Sequence, residues 1–380
     1  MTNFQPFVME RMMSKFEQRV DYNLSESGVH PVLLNELLAD NPDYINDLLA
    51  TDLNYPHVNG IPELRENIAN LYDNASPENV LVTVGAIEAN YLTVRSLLNT
   101  SDEIVIMLPN YMQIWGIAKN HGLDIKTFHL REEHGWAPDL DELESIVSPN
   151  TKMIAICNPN NPTGRTMTIE EMDKIVAIAE RNGAWILADE VYRGAERLIE
   201  GETPSFYGRY DKVIAMGSMS KAYGLPGLRV GWAVGPEKTL DEMWARHEYI
   251  ALSATMLSNK LAALALSPEV RPRIIARTRK YIRKGFPVLQ KWMDSHENIF
   301  SLTPPDAAAI AFVKYNLDIN STEFATRLFN EKSVLIVPGD QFGMDKFLRI
   351  SFGLPHDYLT SALDRIHELV MEIKGKSARA

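Results

Sequence analysis

A chain of 380 residues carries 50 Asp and Glu against 38 Lys and Arg, for a formal net charge of −12. That balance argues against nucleic acid or an anionic membrane as a partner, since both are met by clustered basic side chains. One cysteine, Cys157, rules out an intrachain disulfide and Cys-x-x-Cys metal sites, so no metal is expected.

The first twenty residues, MTNFQPFVMERMMSKFEQRV, interrupt their apolar positions with Glu and Arg and predict an amphipathic helix, not a signal peptide. No apolar run reaches the length of a membrane span, and the expected location is the cytoplasm. The loop Asp21–Pro31, DYNLSESGVHP, is polar, and Pro31 opens a helical pattern through Val32, Leu33, Leu37 and Leu38. Such a loop is either a connector or the lining of a site, in which case Ser27, Gly28, Val29 and His30 are its contacts. Tyr55–Leu64 then runs into a helix over Pro62–Tyr72, with Pro62 and Glu63 as N-terminal signals.

From about Asn79, short apolar runs alternate with helical periodicity. Strands are expected at Val80–Val84, Ile104–Leu108, Ile125–Leu130, Lys152–Cys157, Ala184–Ala188, Val213–Met216 and Val230–Val234. This alternation predicts an α/β fold with a mostly parallel sheet, whose sites gather at strand ends. Beyond Trp232, helical patterns lead to a portion from Ile299 that is expected to form a small α+β domain. The N-terminal segment is expected to join it, giving a large domain over 46–284 and a small one over 1–45 and 285–380.

Four strand ends carry chemistry. Gly85-Ala86-Ile87 starts a helix, where free N–H groups can hold a phosphate. Tyr111 follows a buried strand and either packs or stacks on a ligand; Trp115, one turn on, is either core or a second wall. In Asn158–Gly164, NPNNPTG, two prolines and a glycine hold an irregular loop from which Asn161 can donate to an anionic oxygen. Asp189, in ADEVY, ends an apolar strand, where a carboxylate is costly unless it meets a cation or several donors.

The segment Met216–Trp232, MGSMSKAYGLPGLRVGW, organises the rest. Lys221 follows Ser218 and Ser220, precedes Arg229 by eight residues, and is separated from it by too much Gly and Pro for a helix interior. A desolvated lysine near a second cation is inclined to the free amine, the form that attacks carbonyls. Two hydroxyls and a guanidinium suit a dianionic phosphate. Amine and phosphate cradle together describe a pyridoxal 5'-phosphate site, with Lys221 holding the aldehyde as a Schiff base, Asp189 pairing the pyridinium, and Tyr192 and Asn161 at the 3-oxygen. Downstream, Arg349 lies mid-strand in FLRISF, where an unpaired guanidinium would be expensive.

The segments YPHVNGIPELR, TVGAIEA, NPNNPTG, ADEVY, SMSKAYGLPGLRVG and FLRISFG occur in the order found in the class I/II aminotransferases, fold-type I pyridoxal-phosphate enzymes, and span most of the chain. The resemblance implies a homodimer with a shared active site. Tyr55 would reach the cofactor phosphate of the neighbouring subunit, Tyr111 would stack on the pyridine ring, and Arg349 would take the substrate α-carboxylate. The backbone around Gly28, Val29 and His30 would approach the substrate. Many members have a Gly-Glu-Pro-like stretch where this chain has SESGVHP, and the latter is similar to capreomycidine synthase, a member that cyclises a hydroxylated arginine.

The expected function is amino transfer from an L-α-amino acid to a 2-oxo acid, with Lys221 as general base and acid and with Asp189 and Tyr192 assisting. Elimination or cyclisation on an arginine-like substrate is the competing enzymatic reading. A cofactor-binding regulatory domain is disfavoured, since no DNA-binding segment accompanies the full catalytic set.

Overall fold

Runs such as EIVIML, TKMIAIC and VIAMGS are apolar at successive positions without alternation, so both faces of each strand must be covered, as in the middle of a parallel sheet. The computed structural model describes residues 4–39, 41 and 43–377. After β1 (Tyr22–Asn23), the chain forms β2 (Val80–Thr83), β3 (Glu103–Leu108), β4 (Asp124–Arg131), β5 (Ala137–Pro138), β6 (Thr151–Cys157), β7 (Trp185–Asp189), β8 (Val213–Ser218) and β9 (Gly231–Val234). β2 to β9 make one eight-stranded sheet in the order β2-β9-β8-β7-β6-β3-β4-β5. The block β8-β7-β6-β3-β4 is parallel, β9 runs antiparallel between β8 and β2, and β5 is antiparallel to β4. The α/β fold with a mostly parallel sheet is therefore the one expected.

The C-terminal portion adds β10 (Phe300–Ser301), β11 (Ile310–Tyr315), β12 (Val334–Leu335), β13 (Val337–Pro338) and β14 (Phe347–Ser351). Four of these form an antiparallel sheet in the order β10-β11-β14-β13, while β12 pairs in parallel with β1. The N-terminal helix, Val8–Phe16, is shorter than the twenty-residue pattern. Its buried Met9 and Met13 join a core that includes Val105 and Phe128 of the large sheet and Phe312 and Val337 of the small one, so this helix bridges the two. Residue 285 lies inside one continuous helix, Arg271–Asp294, where a Cβ on Gly285 would come 1.8 Å from the Phe352 carbonyl oxygen.

That long helix is tied to the large-sheet loops by a buried ion pair. Arg279 Nη2 lies 2.6 Å from Glu196 Oε2, and the other carboxylate oxygen accepts from the N–H groups of Gly194 and Thr203 and from the Thr203 hydroxyl. Glu196 also forms a β-bridge to Ala307, just before β11. Removing the guanidinium strands a fully buried carboxylate. Arg279→Ala should lower unfolding stability by about 3–5 kcal/mol in urea titrations, whereas Arg181→Ala, which breaks an exposed pair with Glu144, should cost under about 1 kcal/mol. Equal, small losses in both variants would show that the buried pair does not join these elements.

Candidate active site

The parallel strands and β2 all end on one edge of the sheet. The chain passes from β3 to β4 on one side and from β6 to β7 on the other, which opens a crevice between the loops that follow β3 and β6. A cavity of about 270 Å³ occupies this edge. Its wall brings together Ala86, Ile87, Tyr111, Asn161, Asp189, Tyr192, Ser218, Ser220, Lys221, Arg229 and Arg349 from the sequence-derived set.

One end is built for an anion. β8 runs on through Ser218, two residues beyond the expected end, and the N–H of Ser220 donates to Ser218 Oγ at 3.0 Å. Arg229 has φ +51°, a left-handed conformation that costs a non-glycine residue about 1–2 kcal/mol. It places Nη1 3.4 Å from Ser220 Oγ and turns the guanidinium over Gly85, where a Cβ would stand 2.5 Å from Nη2. Gly85, at φ +77°, caps the helix Ala86–Leu97, whose first N–H groups lack intrahelical acceptors. A Cβ on Gly231 of β9 would lie 2.2 Å from the Ala86 nitrogen, so glycine there lets the helix start sit against the sheet. Hydroxyls, guanidinium and helix N–H groups converge as a phosphate cradle would require.

The other end is built for a cation and a carboxylate. Asp189 is buried, and among the described residues its carboxylate oxygens receive only Asn90 Nδ2 at 3.2 Å and the Val191 N–H at 3.3 Å. Burial pushes its carboxyl up, and Asn90, the Val191 N–H and the charge of Lys221 offset this only in part. Arg349 is 2% exposed; Nη1 donates to Asn161 Oδ1 at 3.0 Å and Nη2 to the Ser25 carbonyl at 2.5 Å. Its Nε and the Asn90 Oδ1 are buried without a partner among the described residues. Tyr192 donates to Ser27 Oγ at 2.8 Å, and burial raises its phenol. Tyr111 donates to Glu10 Oε1 at 2.5 Å, with its ring edge-on to Phe7. Lys221 Nζ lies 3.8 Å from Glu26 Oε2.

Some expected residues stand elsewhere. After Ser27 the loop leaves the cavity: His30 N–H donates to the Gly353 carbonyl at 2.7 Å, and its ring lies 5.7 Å from Tyr281. Val29 is buried in the core, and a Cβ on Gly28 would meet Ser220 O at 3.0 Å and Lys221 Cα at 3.7 Å, so Gly28 packs on the lysine turn. Trp115 does not share a wall with Tyr111, because the helix begins only at Gln113; its ring carries Lys119 Nζ at 4.8 Å and borders a crevice against Gln5–Met9. Tyr55 is 77% exposed and outside this chain's cavity. Sequence reasoning missed Glu10, Met13, Glu26, Asn90 and Gln113 on the wall. Asn90 was findable, since it lies one helical turn beyond Ala86.

Residues 27–366 match the family described as aminotransferase class I and II. The chain is 29% identical over 361 residues to capreomycidine synthase of Streptomyces vinaceus, across 93% of this chain and 90% of the relative. Among solved structures, a PLP-dependent aminotransferase from Streptococcus suis 89-1591 superposes with a TM-score of 0.92 at 32% identity, over 98% of this chain and 99% of that one. The PLP-dependent cyclase OrfR superposes with a TM-score of 0.88 at 26% identity, over 98% of both chains.

Next to Asp189, Glu190 is buried behind the cavity. Its Oε1 accepts from the Phe206 N–H at 2.7 Å and Ser205 Oγ at 2.9 Å, and Oε2 has no partner among the described residues. Burial, partly offset by Arg193, pushes its carboxyl from 4.5 to about 7. The folded state therefore binds a proton that the unfolded chain releases, so stability present below pH 4.5 is lost as pH rises towards 7. That loss amounts to about 3 kcal/mol. In Glu190→Gln the fall in urea stability across this window should largely disappear. An unchanged slope would place the titration elsewhere.

Proposed function

Because the chain belongs to the class I and II aminotransferase family, with pyridoxal 5'-phosphate as its cofactor, we propose that it transfers the amino group of an L-α-amino acid to a 2-oxo acid. The observation that carries this reading is the placement of Lys221, Asp189, Arg229 and Arg349 around one cavity. The residues fit the cofactor: an anion cradle at Gly85, Ala86, Ile87, Ser218, Ser220 and Arg229 for the phosphate, and the undersupplied carboxylate of Asp189 for the ring nitrogen. Asn161 and Tyr192 would meet the ring's 3-oxygen, and Tyr111 its face.

When bound, the cofactor draws electrons from the substrate's α-carbon. Asp189 would hold the proton of the ring nitrogen. Lys221, on its Gly- and Pro-rich turn, would take the α-proton on Nζ and hold it for return, as general base and acid. Arg349 offers its planar fork to the α-carboxylate, whose second oxygen Asn161 can meet through its amide NH₂. Gly28, Val29 and His30 then act from behind, through the lysine turn and Ser27.

The same reading makes the protein a cytoplasmic homodimer, divided into 46–284 and 1–45 with 285–380. Leu49, Leu53, Tyr55, Tyr249, Ile250 and Leu257 are exposed, and the segment carrying Leu49 is fastened to the helix carrying Leu257 by Tyr44 Oη on the Lys260 carbonyl and by Lys260 Nζ on Thr51 Oγ1. Exposed apolar side chains of this kind suit a second copy of the chain, and Tyr55 would reach that copy's phosphate cradle. Cyclisation or β/γ-elimination on an arginine-like substrate is a second reading, favoured by the similarity to capreomycidine synthase and to the cyclase OrfR.

Incubation with an L-amino acid and a 2-oxo acid should yield a new amino acid and a new 2-oxo acid in equal amounts, without ammonia. Ammonia or a cyclic product without a 2-oxo acid would install the second reading instead. Asp189→Asn should slow α-proton exchange by about a hundredfold or more while keeping the cofactor; a change within about threefold would make Asp189 structural. Finally, mixing Lys221→Ala with Tyr55→Ala should give hybrid dimers more active than either parent. No gain in a mixture shown by mass to contain hybrids would overturn the shared site.

A further inference from the structure

A charge count around the cavity leaves two carboxylates over. On the reading above, Arg229 answers the cofactor phosphate, Asp189 its ring nitrogen, and Arg349 the substrate α-carboxylate. Glu10 and Glu26 also line the wall, and neither has a role in that scheme. The one ion pair of Glu26 among the described residues is with Lys221, at 3.8 Å. With the cofactor on Lys221 that ammonium would be gone, and the cation Glu26 and Glu10 still face is Arg349, which the scheme commits to the α-carboxylate. Glu10 holds the Tyr111 hydroxyl on Oε1 and has no ion pair among the described residues. The nearby carboxyl of Glu17 is raised by burial and then by Glu26 and Glu10, as expected where negative charge gathers.

Position says which part of a ligand these groups meet. Glu26 sits between Ser25, whose carbonyl receives Arg349, and Ser27, which receives Tyr192, with its side chain 49% exposed at the cavity mouth. Glu10 follows Met9, whose sulfur lies 3.9 Å from Arg349 Nη1. Both carboxylates thus flank the group that would hold the α-carboxylate. Met13, one helical turn beyond Glu10, lines the same wall with an apolar surface suited to methylenes. The unpartnered, buried Nε of Arg349 independently marks this end as unfinished without a ligand.

We propose that the substrate is an L-α-amino acid whose side chain is a methylene stem ending in a cation, a guanidino or ammonium group, and that Glu10 and Glu26 read that cation. The inference rests on Arg349 taking the α-carboxylate, and both can be tested on the holoenzyme with acids that lack an α-amino group and so cannot react. In calorimetric titrations, 5-guanidinopentanoate should bind about tenfold tighter than hexanoate, and adipate more weakly than hexanoate. Glu10→Gln and Glu26→Gln should each cut the guanidino preference by about threefold, and the double variant should abolish it. Arg349→Ala should weaken all three acids. If it leaves all three bound as in the unmodified protein, the carboxylate assignment fails and the inference falls with it. If Arg349→Ala weakens all three but 5-guanidinopentanoate and hexanoate bind the unmodified protein equally, the inference alone falls. A guanidino preference that survives in the double variant overturns the assignment to Glu10 and Glu26.

Discussion

Asp189 is a carboxylate at the buried end of the central strand β7, supplied among the described residues with two long hydrogen bonds and no ion pair. Much of the structure follows from tolerating that group. The strands on either side, β6 and β8, must be apolar along their length to hold β7 in place, so polar groups can appear only where they end. Asn158, Ser218 and the loops they start therefore share one edge with Asp189. Burial raises the cost of the undersupplied groups on this edge, Asp189 first among them, until a ligand meets them, which makes this edge a site and not a rim.

The phosphate end obeys a different constraint, close backbone approach. Gly231 in β9 admits the start of the helix Ala86–Leu97, Gly85 admits the Arg229 guanidinium, and Arg229 itself holds a left-handed backbone to reach it. A methyl group at Gly231 would push β9 from the helix start, and one at Gly85 would push the arginine away. This end of the cavity is thus shaped by what is missing from side chains. The cation end is shaped by what the side chains lack in partners.

The N-terminal helix and the loop after it complete the cavity from outside the large sheet. Met9 and Met13 anchor the helix in a core shared by both sheets, and this places Glu10 on the wall. The loop is held by Arg349 on the Ser25 carbonyl and by Tyr192 on Ser27, so Glu26 between them has little freedom in where it stands. A segment that pairs through β1 with β12 therefore furnishes the part of the wall on which, in our reading, substrate choice depends.

The strand series was legible in the sequence because unbroken apolar runs separated by helical periodicity leave few other arrangements than a covered parallel sheet. The strand-end motifs were legible for the same reason: Lys221, Asp189, Asn161 and Arg229 are set by short-range chain geometry, each within a few residues of a buried strand. What the sequence did not disclose depends on contacts between distant segments. His30 and Trp115 carry side chains suited to a substrate, yet hydrogen bonding of the loop to Gly353 and a helix start delayed to Gln113 turn them away. Glu10 and Glu26 look like solvated charges in their own segments. Only the packing of the N-terminal helix against both sheets, and the hold of Arg349 and Tyr192 on the loop after it, carry them to the cavity. Local pattern determines which residues end strands, whereas the direction of a loop or an amphipathic helix depends on which distant surface buries it.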